Sequence, residues 1–142
     1  MKLPKTAYEV CTDMLERTRV AYVKRDFSAF RACFLLPNLV HANDEVVTLA
    51  TDADLRQIFE GMIQNFDTLG VIDMHRTVTK SRYIDENTIE GSFISRHVLE
   101  GPSFGAETLA RGFMRRVGDE WFISDHFYET DSAPLTRIIL RS

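Results

Sequence analysis

The residues with usable chemistry are four histidines, one aspartate beside a histidine, and a set of tyrosines. His41 sits on a short β-like run, where an imidazole that titrates near neutrality would act as a general base in a pocket or stand as a polar residue at its rim. His97 shares one side of a long alternating run with Ile89, Gly91, Phe93 and Leu99, so it is expected to face an apolar cavity or to be a hydrogen-bonded core histidine. Asp125 and His126 are neighbours on a strand-like run, so their side chains point to opposite faces and cannot pair with each other. Alternation groups Asp125 with Trp121, Ile123 and Phe127. With that face inward, Asp125 would be a buried acid, base or orienter of a histidine. Against this stands an ion pair to Arg76, Arg82, Arg96, Arg111, Arg115 or Arg116. His41, Asp125 and His97 are therefore the candidate catalytic residues. Tyr22, Tyr83 and Tyr128 could donate hydrogen bonds to a carbonyl ligand, and with His75 and Trp121 they form the candidate ligand-binding set.

Several chemistries lack their signature. The histidines show no His-x-His or His-x-x-x-His spacing, and Cys11 and Cys33 form no Cys-x-x-Cys pair, so no metal site is expected. There is no Gly-x-Ser-x-Gly, phosphate-binding loop or dinucleotide glycine pattern, so no cofactor is expected.

Four long runs from Val71 to Thr130, rich in Val, Ile, Thr, Phe and Tyr, must position these groups. They are separated by Asp85-Glu86-Asn87, by Glu100 to Gly105 and by Gly118-Asp119, residue types that suit tight reversals. Successive strands joined this way pair antiparallel. Gly91 and Gly112 fall inside strands, where glycine marks a bulge or bend, so the sheet is expected to curve strongly. Upstream, Thr6 to Lys24 has helical periodicity, with Tyr8, Cys11, Met14, Leu15, Thr18, Ala21 and Tyr22 on its apolar stripe. Asp26 reads as the N-cap of a short second helix carrying Phe27, Phe30 and Phe34, ended by Pro37-Asn38. Leu39 to Asn43 and Glu45 to Leu49 read as short strands. Thr51-x-x-Asp54 resembles a capping box opening a third helix, whose stripe runs Leu55, Ile58, Phe59, Met62, Ile63, Phe66, Leu69 and stops at Gly70. The tail from Ala133 to Ser142 holds Leu135 and Ile138-Ile139-Leu140, apolar enough to dock on its own chain or on a partner. The expected fold class is thus α+β, with three helices in the N-terminal half packed on a strongly curved antiparallel sheet.

The 142 residues suit one domain, and a chain of this length buries roughly two-thirds of its extended surface. A formal net charge of −4 argues against a nucleic-acid partner. No apolar run approaches the roughly 18 residues of a membrane span, and Met1 to Thr6 lacks the apolar centre of a signal peptide. With its two cysteines far apart in sequence, a reduced cytoplasmic protein is the expectation.

The order of three helices, two short strands before the third, then a long meander resembles the nuclear-transport-factor-2-like superfamily, and most of all its polyketide-cyclase-like (SnoaL-like) branch. The cues are Tyr22 to Phe27 at the first helix junction, the run Leu55 to Phe59, Met74-His75 opening the meander, and Glu120-Trp121-Phe122-Ile123 on the last strand. The resemblance covers nearly the whole chain. It implies a cone-shaped, cystatin-like sheet wrapped on helices, a pocket between them for a small apolar or partly polar ligand, and a homodimer formed through the outer face of the sheet. It also implies acid/base isomerase, lyase or cyclase chemistry, or, alternatively, a non-catalytic scaffold like the small subunit of ring-hydroxylating dioxygenases. The aspartate base and helix tyrosine of the superfamily's ketosteroid isomerases have no match, since Val40 to Asn43 carries no carboxylate and Thr18 stands near the tyrosine position.

Overall fold

The computed structural model describes residues 5–42, 45–101 and 104–128. Helix α1 spans Ala7–Lys24. The Thr6 hydroxyl accepts from the Glu9 N–H at its start, and Arg25 closes its end at φ 56. Ala7, Val10, Cys11, Met14, Thr18 and Ala21 form its buried stripe. Tyr8, expected on that stripe, lies one residue round the helix and is exposed. Helix α2 is Phe27–Arg31, capped by the Asp26 carboxylate, which accepts from the Ala29 N–H. Helix α3 is Asp52–Leu69 and opens with a complete capping box, Thr51 and Asp54 each accepting from the other's backbone. Gly70, at φ 71, ends it.

Six strands form one sheet: β1 (Phe34–Ala42), β2 (Glu45–Leu49), β3 (Val71–Asp85), β4 (Thr88–Leu99), β5 (Phe104–Val117) and β6 (Glu120–Tyr128). Their order across the sheet is β2-β1-β6-β5-β4-β3. The turns are where glycine and Asx chemistry put them: Asp85 accepts from the Asn87 N–H, and Gly118 sits at φ 63.

Two expectations about this architecture are corrected. The second helix does not run to Pro37-Asn38, because it stops at Arg31 and Phe34 opens β1. The i, i+4 spacing of Phe30 and Phe34 suits a helix, but the same two rings also meet across the helix-to-strand junction, with centroids 4.6 Å apart. Pairing of Phe34 with Ile123 on β6 then decides the strand. The sheet is also not antiparallel throughout, since β1 and β6 run parallel while every other pair is antiparallel. No hairpin joins β1 to β6; α3 and the whole meander lie between them in the chain, so a turn imposes no direction.

The curved, unclosed sheet holds the helices against one face. Val10, Cys11 and Met14 of α1 and Leu55, Ile58 and Phe59 of α3 belong to one buried cluster with Ile89, Met114 and Ile123 of the sheet. Residues 133–142, with the apolar tail, lie outside the described residues.

Candidate functional site

The helices do not fill the hollow of the sheet. A cavity of about 60 Å³, measured to the centres of water-sized spheres, lies between α1, α3 and strands β1, β3, β4, β5 and β6. That is room for a few waters or a small organic group, since one water centre needs roughly 10–15 Å³ on such a measure. Its wall is largely apolar, with Met14, Leu55, Ile58, Phe93, Met114 and Ile123 among the lining residues. The polar lining residues are Thr18, Tyr22, Asn38, Arg76, Ser92 and His126.

Two glycines explain part of the space. Gly91 of β4 and Gly112 of β5 are paired partners and both line the cavity. A Cβ on Gly91 would lie 2.6 Å from the Cys11 Sγ, so this glycine lets α1 sit close to the sheet. A Cβ on Gly112 would meet only the Asp125 carbonyl oxygen within 4 Å, at 3.4 Å.

An irregularity in the sheet chooses the inward residues. Met114 pairs with Ile123 but Phe113 pairs with Asp125, so Ser124 is an extra residue in β6. On its other side, β1 shifts register against β6 between Phe34 and Leu39. Asn38, within that shift, is fully buried and donates from Nδ2 to the Ile123 carbonyl at 3.0 Å. Its Oδ1 is buried with no hydrogen-bond partner among the described residues. Beyond the bulge the alternation of β6 is reversed, so His126 lines the cavity together with Ile123 while Asp125 and Phe127 face away. The expected grouping of Asp125 with Trp121 and Ile123 on one face is therefore corrected: strict alternation ends at Ser124.

Arg76 enters the cavity from β3, on the same side of the strand as Met74 and Val78. Its Nη1 donates to the Thr18 Oγ1 at 2.6 Å and to the Leu15 carbonyl at 3.3 Å, which fixes the guanidinium against α1. The guanidinium carbon is 5.4 Å from the Phe93 ring centroid. Burial, then the charge of Arg76, push the His126 imidazole down to about 4, with Asp125 acting weakly in the opposite sense. His126 is therefore neutral near pH 7. Tyr22 closes another wall, stacked on Phe59 at 5.4 Å and packed on Phe30 and Phe66. Cys11 also lines the cavity, and burial pushes its thiol up to about 11.

The residues singled out from sequence separate into different places. Tyr22 is in the cavity wall. His41 and Asp125 come together, with Nε2 and Oδ2 3.5 Å apart, but on the outer face of the sheet. There His41 stacks flat on Phe127 at 4.1 Å, and the Arg111 guanidinium carbon lies 4.4 Å from the same ring. No arginine forms an ion pair with Asp125 among the described residues. His97 is buried against the edge of Phe66, 5.3 Å between centroids, and is not among the cavity-lining residues. Burial first, then the Arg76 charge, hold its pKa below the ordinary histidine range. His75 is exposed on β3. Tyr83 donates to the Lys5 carbonyl at 2.5 Å and packs edge-on against Trp121, which covers the core rather than the cavity. The Tyr128 side chain lies outside the described residues. Sequence reasoning missed Asn38, Arg76 and His126 as cavity residues. Arg76 carried a signal, a charged residue between Met74 and Val78 on an otherwise apolar side of a strand.

No protein-family model matches this sequence, and no curated protein matches it. Solved structures do match. Aln2 from a Streptomyces species is similar over 99% of this chain and 99% of its own, with a TM-score of 0.70 at 18% identity. A Nostoc punctiforme protein of unknown function with a cystatin-like fold aligns over 94% of this chain and 97% of its own, with a TM-score of 0.70 at 15% identity. An NTF-2 like protein of unknown function from Shewanella oneidensis aligns over 85% of this chain and 97% of its own, with a TM-score of 0.66 at 8% identity. The chain has the nuclear-transport-factor-2-like fold. At these identities the likeness speaks for the fold alone, and the chemistry must be argued from the residues of this cavity.

Proposed function

We propose that this protein binds a small, mostly apolar molecule in the cavity between helices and sheet, as a ligand-binding domain of the SnoaL-like type. The observation that carries this reading is the cavity itself: a mainly apolar wall interrupted by a few polar groups on rigid strands and helices. His41, Asp125 and His97 do not line it. Any acid/base step on a bound molecule would fall to His126, whose neutral imidazole is the proton-accepting form near pH 7.

Thermal unfolding in the presence of indole, a neutral apolar probe, tests the reading. A saturable rise in Tm is expected, and Gly112→Val, which places two methyl groups in the cavity, is expected to reduce it at least tenfold in apparent affinity. Unchanged binding in the variant, or no shift in the parent protein, would remove the cavity as the binding site.

A second reading concerns the outer face of the sheet. Val46, Val98 and Leu109 are exposed there, and Phe113 and Phe127 pack edge-on at 5.5 Å beside them. We propose that this face supports a homodimer. A scaffolding role beside a larger partner would use the same surface.

A further inference from the structure

We propose that the ligand of this cavity is a small ring compound carrying a hydrogen-bond donor, a hydroxyl or a ring N–H, which it donates to the Asn38 Oδ1. The proposal rests on the reading of the cavity as a ligand site and names the group by which that site selects its guest.

Asn38 lines the cavity from β1 and is fully buried. One end of its amide is in use, since Nδ2 donates to the Ile123 carbonyl at 3.0 Å. That bond fixes the orientation of the amide, because only the nitrogen can donate to a carbonyl. Oδ1 is left as a buried acceptor without a donor among the described residues. Its neighbours on the wall are apolar: Leu49, which pairs with Asn38 across β1 and β2, and Phe34 and Val40 along β1.

A buried acceptor left without a donor is costly. Water that enters the cavity meets this need while the cavity is wet. A guest that fills the cavity expels the water, and the donor then has to come from the guest. A guest without one strands Oδ1. In this way a site built around a buried polar group rejects the analogue that lacks the matching hydroxyl or N–H. The apolar remainder of the wall, Phe93 and Met114 included, suits the ring itself.

Isothermal titration with two pairs of near-isosteric probes tests the proposal: phenol against toluene, and indole against indene. Water holds phenol and indole more strongly than their partners, so a purely apolar cavity prefers toluene and indene. The expected result is that the donor binds at least as tightly as its partner in one pair or both, and the pair that does so tells hydroxyl from N–H. Asn38→Leu is expected to lower that ratio of affinities by about tenfold, through loss of the donor's binding rather than its partner's. If Asn38→Leu fails to fold by circular dichroism, the two pairs on the parent protein decide alone. Tighter binding of toluene and indene than of phenol and indole would overturn this proposal and leave the cavity reading standing. A preference for the donor that survives Asn38→Leu would overturn the role given to Asn38. Binding of none of the probes would overturn both readings.

Discussion

His126 shows how strongly one side chain can depend on its surroundings. Its pKa is pushed from 6.5 down to about 4, so the unfolded chain binds a proton more readily than the folded one. Stability from this group is present above pH 6.5 and is lost as pH falls towards 4, at up to about 1.4 kcal/mol per pH unit. His97 is shifted in the same direction and adds to the loss. We therefore expect urea unfolding to show the parent losing more stability across that window than His126→Gln. Parallel curves would contradict the placement of His126 in the cavity. The thiols give a second check. Cys11 and Cys33 are both buried, and both are shifted upward by burial. Thiolate is the reactive form, so neither should react with a thiol reagent at pH 8 in the folded protein, and both should react in denaturant.

At the scale of elements, two devices hold the site. The capping box of α3 satisfies backbone N–H groups at Thr51 and Asp54. Thr51→Ala is expected to cost about 1 kcal/mol, read from the shift of the denaturation midpoint. The close approach of α1 to β4 is more sensitive. Gly91→Ala forces its Cβ against the Cys11 Sγ and is expected to destabilise by about 1–3 kcal/mol. In the double variant with Cys11→Ala the sulfur is gone, so the two changes should combine to less than their sum. Additive effects in that cycle would mean that the two residues do not meet. The bulge at Ser124 has the same organising role in β6. Ser124 is buried and its hydroxyl donates to the Phe113 carbonyl at 3.2 Å, tying the extra residue to β5.

For the molecule as a whole, the sheet presents two unlike faces. One carries the helices and the cavity. The other carries Val46, Leu109 and Val98 in the open, and the cluster of His41, Asp125, Phe127 and Arg111. Isolated exposed apolar residues are ordinary, but several on one face of a sheet favour association. Light scattering at micromolar concentration is expected to give twice the mass of the chain, and Leu109→Glu is expected to halve it. A monomeric parent protein would end the dimer proposal.

Much of this fold is legible in the residues themselves. The meander follows from β-branched and aromatic runs broken at Asp85-Glu86-Asn87 and Gly118-Asp119, because turn chemistry is local. The start and stop of α3 follow from Thr51, Asp54 and Gly70 for the same reason. The site is legible only in part. Tyr22 stands on a regular helix and can be read from its spacing, whereas Asn38 and His126 lie at or beyond register shifts, where counting residues along a strand no longer gives the face. A bulge exists through its neighbours: Ser124 is extra only relative to β5, and β1 shifts only relative to β6. Local residue types therefore determined the strands, turns and caps. Which of Asp125 and His126 looks inward was decided by how β6 pairs with its neighbour β5 and with the distant β1, because a side chain's face is a property of the ladder and not of the residue.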